Sequence, residues 1–185
     1  MSKIIHLGQL AADSPVLDLG CGTGRFAIPL RQTVGAPVYA LDRAGDMIGQ
    51  AVRKEGSQDV RWTVGDAQAL PYAPGSFAGV FLALVIPHLE DRPRPLAAIH
   101  QALEPGGRLV IWTASQRQIS EFFLGPFFPS LVPIDLARFP PIETLLAEMR
   151  AAGFVQLHRQ AVVKRETIKA ADASWPELKK AKRKP

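Results

Sequence analysis

The stretch VLDLGCGTGRF, residues 16–26, constrains the fold of this 185-residue chain more than any other segment. An apolar-rich run leads directly into glycines at alternate positions, Gly20, Gly22 and Gly24. Glycine accepts positive φ angles and lets the backbone approach another group closely. A strand that ends in this way delivers backbone to a ligand, so the sequence predicts a buried strand followed by a ligand-binding loop.

The rest of the chain alternates short apolar runs with segments of helical periodicity. This alternation is typical of a doubly wound α/β fold, in which helices cover both faces of a mainly parallel sheet. The predicted strands are 15–19, 37–42, 60–64, 76–84 and 108–113, with a last strand or hairpin over 154–163. The predicted helices are 24–34, 44–54, 93–103 and 142–152. We expect one domain over residues 1–163 and a basic tail over 164–185.

Charge and cysteine content limit the classes of function. The net charge of +5 lies entirely in residues 164–185, which hold eight basic and three acidic residues, whereas residues 1–163 hold 14 of each. Such a tail is typically a solvated end, so nucleic acid is not the expected partner. The single cysteine excludes an internal disulfide and a cysteine-rich zinc site, and no metal is expected. The longest apolar run, 77–87, is about half of a membrane span, and no signal peptide is evident, which predicts a cytoplasmic protein.

The loop does not match the common nucleotide-binding patterns. A dinucleotide fingerprint needs a third glycine where this chain has Arg25, and no Gly-Lys-Ser/Thr follows as in a phosphate-binding loop. Asp18, at the end of the strand, would repel a pyrophosphate and attract a cationic group. A dehydrogenase is therefore the least favoured interpretation.

The motif resembles the first motif of class I S-adenosylmethionine-dependent methyltransferases. The later blocks LDRAGDMI, GDAQALPYAPGSF and LEPGGRLVI resemble the type 11 branch that includes the ubiquinone and menaquinone biosynthesis enzymes, and the likeness extends over about residues 14–113. The resemblance implies a Rossmann-like sheet of order 3-2-1-4-5. It also implies S-adenosyl-L-methionine as cofactor, over the carboxyl ends of the first two strands.

The resemblance also assigns roles to individual residues. Asp42 matches the acid that accepts from the ribose hydroxyls, or else it caps the next helix. Asp66 matches the acid at the adenine amino group, or else it is an ordinary turn aspartate. Asp18 matches the acid near the methionine amino group, and Ala67 would offer its N–H to the adenine ring. The further cofactor-binding positions are Gly20, Cys21, Gly22, Gly24, Arg43, Met47 and Leu84; Cys21 is not expected to be catalytic.

Methyl transfer from a sulfonium requires mainly alignment, with a base only where the acceptor stays protonated. His88 is the catalytic candidate, and the alternative is a capping or structural histidine. The Phe- and Pro-rich segment 119–139 is either a lid over a small apolar or aromatic acceptor, or a static cover of the sheet or of a dimer partner.

Two departures from the family pattern keep other functions open. Only about fifteen residues precede the first strand, where the resembling enzymes carry a longer helical cap, and the usual last strand is not evident beyond 164. An exposed sheet edge would then be covered by a rearranged hairpin or a homodimer. The alternatives are an inactive cofactor-binding module that serves as a partner subunit, and an RNA or protein methyltransferase guided by the basic tail.

Overall fold

A computed structural model describes residues 15–122 and 128–162 of the chain. Its strands form one parallel sheet in the order β3-β2-β1-β4-β5, as predicted. The strands are β1 (Val16–Leu19), β2 (Val38–Asp42), β3 (Val60–Val64), β4 (Phe77–Ala83) and β5 (Leu103–Trp112). The helices are α1 (Ala27–Thr33), α2 (Gly45–Ala51), a 3₁₀ helix (Ile86–His88), α3 (Pro93–Ala102), α4 (Gln116–Ser120), α5 (Leu131–Arg138) and α6 (Ile142–Ala151).

β1 is the central strand, and helices cover both of its faces. Val16 packs with residues of α1 and α2, whereas Leu17 and Leu19 pack with residues of α3 and α6. These three side chains are at most 1% exposed, which explains why β1 reads as a nearly continuous apolar run. Since all strands run in parallel, their carboxyl ends meet at one edge of the sheet, where the loops that follow β1, β2, β3 and β4 are brought together.

β5 begins five residues before its predicted start. Leu103 pairs with Phe77, and the register then shifts before the next pair, Gly79 with Arg108. The sequence EPGG, which lies between the predicted helix 93–103 and the predicted strand 108–113, forms this irregularity, with Gly106 at a φ of +83°. A glycine-rich interruption in a strand is typical of a β-bulge, and β5 continues through it instead of starting after it.

The prediction of a strand or hairpin over 154–163 is wrong for the described residues 154–162, which form neither. Phe154 and Leu157, three residues apart, both pack against the core, and Val155 is 80% exposed, which does not match the alternation of a strand. Gln156 has a φ of +52°, which breaks the extended chain. The core contacts of Phe154 and Leu157 hold this segment in place instead of a ladder of backbone hydrogen bonds.

Other predictions fall partly or wholly outside the described residues. These are the short segment before β1, the domain boundary at residue 163 and the basic tail over 164–185. Within the described ranges, no helix has the length and apolar character to cross a membrane. The same ranges contain no group of three or more His, Cys, Asp or Glu side chains placed to hold a metal ion.

Candidate functional site

The glycine loop, residues 20–26, joins β1 to α1 and is fixed to the end of β2. The backbone N–H groups of Gly20 and Cys21 both donate to the carbonyl of Leu41, at 2.7 and 3.1 Å. Gly20, Gly22 and Gly24 have φ angles of +73°, +52° and +77°, which side chains with a Cβ rarely adopt. The loop therefore has a defined shape in this structure, set by backbone bonds at the carboxyl edge of the sheet.

The glycines of this loop meet different surroundings. A Cβ on Gly20 would overlap Val85, and a Cβ on Gly24 would lie 2.6 Å from the ring of Trp62. A Cβ on Gly22 would meet no atom within 4 Å. Gly20 and Gly24 thus permit close packing inside the protein, whereas Gly22 faces open space beside the loop.

Asp42, the last residue of β2, is hydrogen-bonded to the glycine loop. Its two carboxylate oxygens accept from the backbone N–H groups of Gly22 at 2.7 Å and Ala44 at 2.9 Å. The N-cap of α2 is Ala44, so the bond to Ala44 forms a turn before the helix and Asp42 is not the helix cap. Each oxygen retains acceptor capacity, because a carboxylate offers about four lone-pair sites.

Asp18 lies beneath the glycine loop, 1% exposed, and neither of its carboxyl oxygens completes a hydrogen bond. Burial raises the pKa of this carboxyl to about 7; the nearby N–H of Ala27 lowers it in part, and the charge of Asp42 raises it further. A buried acid without a partner is costly, and such groups concentrate at functional sites. A cationic group brought to this edge would favour the ionised form of Asp18.

Cys21 is buried in the loop, and its thiol lies 3.8 Å from the carbonyl of Gly22. Burial raises the pKa of this thiol above its ordinary value, and the charges of Asp18 and Asp42 raise it further. The thiolate is the nucleophilic form of cysteine, so these surroundings disfavour reactivity.

Lys54 contributes to the loop in a way that the sequence analysis missed. Its ammonium group donates to the carbonyl of Thr23 at 2.6 Å and to the Thr23 hydroxyl at 2.8 Å. Lys54 lies just after α2, 31 residues from Thr23 along the chain. An exposed lysine near a helix end carries no local signal of such a contact, so only the folded structure identifies it.

Leu84, the residue directly after β4, has a φ of +59°, which is unusual for a residue other than glycine. Its N–H donates to the carbonyl of Trp112 at 2.8 Å, which ties the ends of β4 and β5 together, and its side chain is 48% exposed. Strained backbone of this kind persists where the surroundings enforce it, commonly at ligand sites.

The other predicted positions follow β2 and β3. Met47 is 43% exposed and Arg43 is exposed, both after the end of β2. Asp66 is exposed, and its Oδ1 accepts from the N–H of Gln68 at 2.8 Å, which makes it a turn aspartate with its second oxygen still available. Ala67 is half-buried against the core beneath this turn.

His88, at the end of the 3₁₀ helix, is exposed and contacts α5. Its Nδ1 lies 3.0 Å from an Nη of Arg138, the last residue of α5. The side-chain amide of Gln116 in α4 donates to the carbonyls of Leu136 and Phe139, at 3.4 and 3.3 Å. Neither α4 nor α5 was predicted; α4 begins at a capping box formed by Ser115 and Gln118.

Exposed apolar side chains follow the ends of β4 and β5. Leu84 follows β4 and Trp112 ends β5, and Phe122, Phe128 and Ile134 lie on the α4–α5 segment, all between 40 and 53% exposed. Leu84 and Trp112 are neighbours, since the N–H of Leu84 donates to the carbonyl of Trp112. Exposed apolar side chains that lie together mark a surface for an apolar ligand or partner. A separate polar groove of about 690 Å³ lies at the amino end of β3, and none of the predicted site residues lines it.

The structure thus brings the predicted residues to one edge of the sheet, on the loops after β1 to β4. Residues 17–111 match the sequence profile of the family described as methyltransferase domain. The chain is 32% identical over 174 residues to a demethylmenaquinone methyltransferase of Thermus thermophilus, an alignment that covers 82% of this chain and 79% of the relative.

Solved structures are similar as well. A protein of Anabaena variabilis, regarded as a methyltransferase of an antibiotic biosynthesis pathway, superposes with a TM-score of 0.73 at 28% identity, over 82% of this chain and 59% of that one. A phosphoethanolamine N-methyltransferase of Haemonchus contortus, in complex with S-adenosyl-L-methionine, gives 0.68 at 23% identity, over 84% of this chain and 36% of that one. The second likeness concerns the fold alone.

Proposed function

The chain belongs to the methyltransferase domain family, and from that premise we propose that it methylates a small aromatic or otherwise apolar acceptor. The observation that carries this proposal is the pair of exposed apolar side chains at the ends of β4 and β5, Leu84 and Trp112, beside the glycine loop, whose Phe26 ring lies 6.5 Å from the ring of Trp112. The cofactor of the family is S-adenosyl-L-methionine, and the acceptor and the roles of individual residues are the proposed parts.

The chemistry of this edge fits such a cofactor. When bound, the cofactor supplies a methyl group already activated on a sulfonium. Asp42 has acceptor capacity left for a ribose diol after its bonds to Gly22 and Ala44. Asp18 is a buried acid without a hydrogen-bond partner, suited to the neighbourhood of a cationic group.

We assign the remaining residues by their positions. Met47 offers an exposed thioether side chain for packing on a flat ring, and Asp66 has one free carboxylate oxygen for an amino group. The backbone of Leu84 lies at the end of the neighbouring strand β4, where its positive φ holds the chain in an uncommon conformation. The other positions proposed to contact the cofactor are Gly20, Cys21, Gly22, Gly24, Arg43 and Ala67.

The proposed acceptor is a hydroxylated aromatic ring, such as a phenol or a quinol. Trp112 and Leu84 would provide apolar contacts for the ring, and the exposed His88, four residues after Leu84, is the candidate for a contact with its polar group. The name of the Thermus thermophilus relative, a demethylmenaquinone methyltransferase, supports a quinone-derived ring. The contribution of the chain is then to align the acceptor and exclude water, since the methyl group arrives activated.

Incubation with methyl-labelled S-adenosylmethionine and a panel of quinols, phenols and small carboxylates tests this proposal. We expect label to enter quinols or phenols and not the carboxylates. The variant Asp42→Asn, assayed in parallel, should lose most of this transfer, which excludes a contaminating enzyme. Binding of S-adenosylhomocysteine without transfer to any member of the panel would contradict the proposed acceptor class.

A further inference from the structure

Arg138 and His88 form a contact that determines which ring nitrogen of His88 carries the proton. Arginine has only donors, so the guanidinium donates and Nδ1 of His88 accepts, at 3.0 Å. The proton of the neutral ring is then on Nε2. The lone pair on Nδ1, which a general base would use, accepts from Arg138. The other ring nitrogen, Nε2, offers an N–H.

We propose that Arg138 is a positioning residue that turns His88 into a hydrogen-bond donor toward an oxygen of the acceptor. This inference rests on the proposed function, because it needs an acceptor whose hydroxyl is either the methylated group or next to the methylated carbon. A donor at that oxygen, with the guanidinium charge behind it, favours the ionised hydroxyl and lowers its pKa. The acceptor, and not His88, then loses its proton to solvent.

The reaction balances without a protein base. The ionised oxygen, or the ring carbon beside it, forms the new bond to the methyl carbon, while the carbon–sulfur bond breaks and leaves its electron pair on sulfur. Where the ring carbon is methylated, its proton leaves to solvent afterwards. The chain only has to align the acceptor and keep its oxygen ionised.

The position of Arg138 depends on how α5 is placed. Arg138 is the last residue of α5, and Gln116 of α4 holds the carbonyls of Leu136 and Phe139 on either side of it. α5 contacts the 3₁₀ helix that carries His88. Arg138 therefore donates to His88 when α5 packs on the 3₁₀ helix. In this way the packing of α5 would affect the chemistry at the acceptor.

Three carboxylates that lie near His88 and Arg138 along the chain could compete for these two side chains. Glu90 and Asp91 follow the 3₁₀ helix, and Asp135 lies on α5. Within the described ranges, none of these three carboxylates forms an ion pair with Arg138 or a hydrogen bond with His88. Arg117 on α4 is paired with Glu121, so it offers a matched control for loss of an arginine in the same segment.

Nitrogen NMR of the imidazole rings, recorded at about pH 8.5 where histidine is ordinarily neutral, tests the arrangement without any substrate. The signals of His88 are identified by their loss in His88→Gln. We expect the Nε2–H tautomer in the wild type, a mixture of tautomers in Arg138→Ala, and the wild-type pattern in Arg117→Ala. An Nδ1–H ring in the wild type, or no change in Arg138→Ala, would overturn the inference.

The pH profile of kcat with an active phenol or quinol tests the consequence, because kcat reports the ionisation of the bound acceptor. We expect Arg138→Ala to lower kcat by about tenfold and move the acidic limb of the kcat profile to higher pH, with partial rescue by Arg138→Lys. In the background of His88→Ala, the same substitution should have little effect. An unchanged profile in Arg138→Ala would refute the positioning role even if the tautomer changes. If no acceptor is methylated by the wild type, the proposed function fails and the donor role with it, while NMR still reports the contact.

Discussion

Gly22 and Gly24 are two residues apart, yet we expect different effects on stability when each is replaced by alanine. Gly24→Ala places a methyl group against Trp62, and we expect it to lower the free energy of unfolding by about 2–4 kcal/mol. Gly22→Ala meets no neighbour, so its cost is only that of the positive φ, about 1–2 kcal/mol. Thermal unfolding of both variants measures this difference.

Affinity should follow the opposite order, because Gly22 faces the space proposed for the cofactor. At a temperature where both variants are folded, calorimetry with S-adenosylhomocysteine should show a loss of about tenfold or more for Gly22→Ala and a smaller loss for Gly24→Ala. Equal affinity of Gly22→Ala and the wild type would place the ligand elsewhere.

The raised pKa of Asp18 predicts how the free energy of unfolding changes with pH. Burial raises the pKa of its carboxyl to about 7, above the value of about 3.9 in an unfolded chain. Between these values the folded state binds more protons, so the contribution of Asp18 to stability falls as the pH rises and is constant above about 7. Asp18→Asn removes this term, so the stability of the variant relative to the wild type should rise between about pH 4 and pH 7 and then stay constant, as thermal unfolding at each pH would show. A difference that does not vary with pH would contradict the raised pKa.

Among the elements, the turn after α2 contacts the glycine loop, because Lys54 donates hydrogen bonds to Thr23. Lys54→Met removes two hydrogen bonds to Thr23 but leaves an apolar stem of similar length. Because the group is exposed, we expect only about a two- to fivefold loss of affinity for S-adenosylhomocysteine, with little change in melting temperature. Arg53→Met, at the exposed neighbouring residue, is the matched control. The same loss in both variants would indicate a general effect of charge.

The elements that the sequence predicts correctly are those whose pattern arises from burial. β1, β2 and β4 are mainly apolar because helices cover both sides of the sheet, and the order of the loops at its carboxyl edge follows from parallel strands. β5 was placed too late, since Pro105, Gly106 and Gly107 are typical of a turn and here form a bulge. Residues 154–162 were predicted to form a strand or hairpin, whereas the positive φ of Gln156, which breaks the extended chain, leaves no signal in the sequence.

The positions of the candidate residues on the fold were predictable from the sequence, and their contacts were not. Asp18, Asp42 and Asp66 are found at the strand ends where the motifs predict them. The bond from Gly22 to Asp42 and the contact of Arg138 with His88 join residues 20 and 50 apart, so they depend on tertiary packing. Sequence patterns report local periodicity and carry no record of such pairs.

Across the whole molecule, the free energy of local opening should be lowest in α5, which contacts the 3₁₀ helix of the candidate site. α5 contains no buried residue, whereas β4 is almost entirely buried. We expect amide hydrogens of α5 to exchange on the order of a hundredfold faster than those of β4 in the free protein, as elements with few buried contacts do. Equal protection of both elements in a hydrogen-exchange experiment would favour the alternative that this segment is a static cover.

The central claim is that the carboxyl edge of the sheet holds S-adenosylmethionine, with Asp42 on its ribose. Calorimetric titration with S-adenosylhomocysteine tests it most directly on the wild type, Asp42→Ala and Asp59→Ala, an exposed acid before β3 at the opposite edge. Asp42→Ala removes the proposed bonds to the ribose and the bond that holds Gly22, so we predict a loss of about 1.5–3 kcal/mol, roughly ten- to a hundredfold in affinity. Asp59→Ala should bind like the wild type. Wild-type affinity in a folded Asp42→Ala variant would contradict the account.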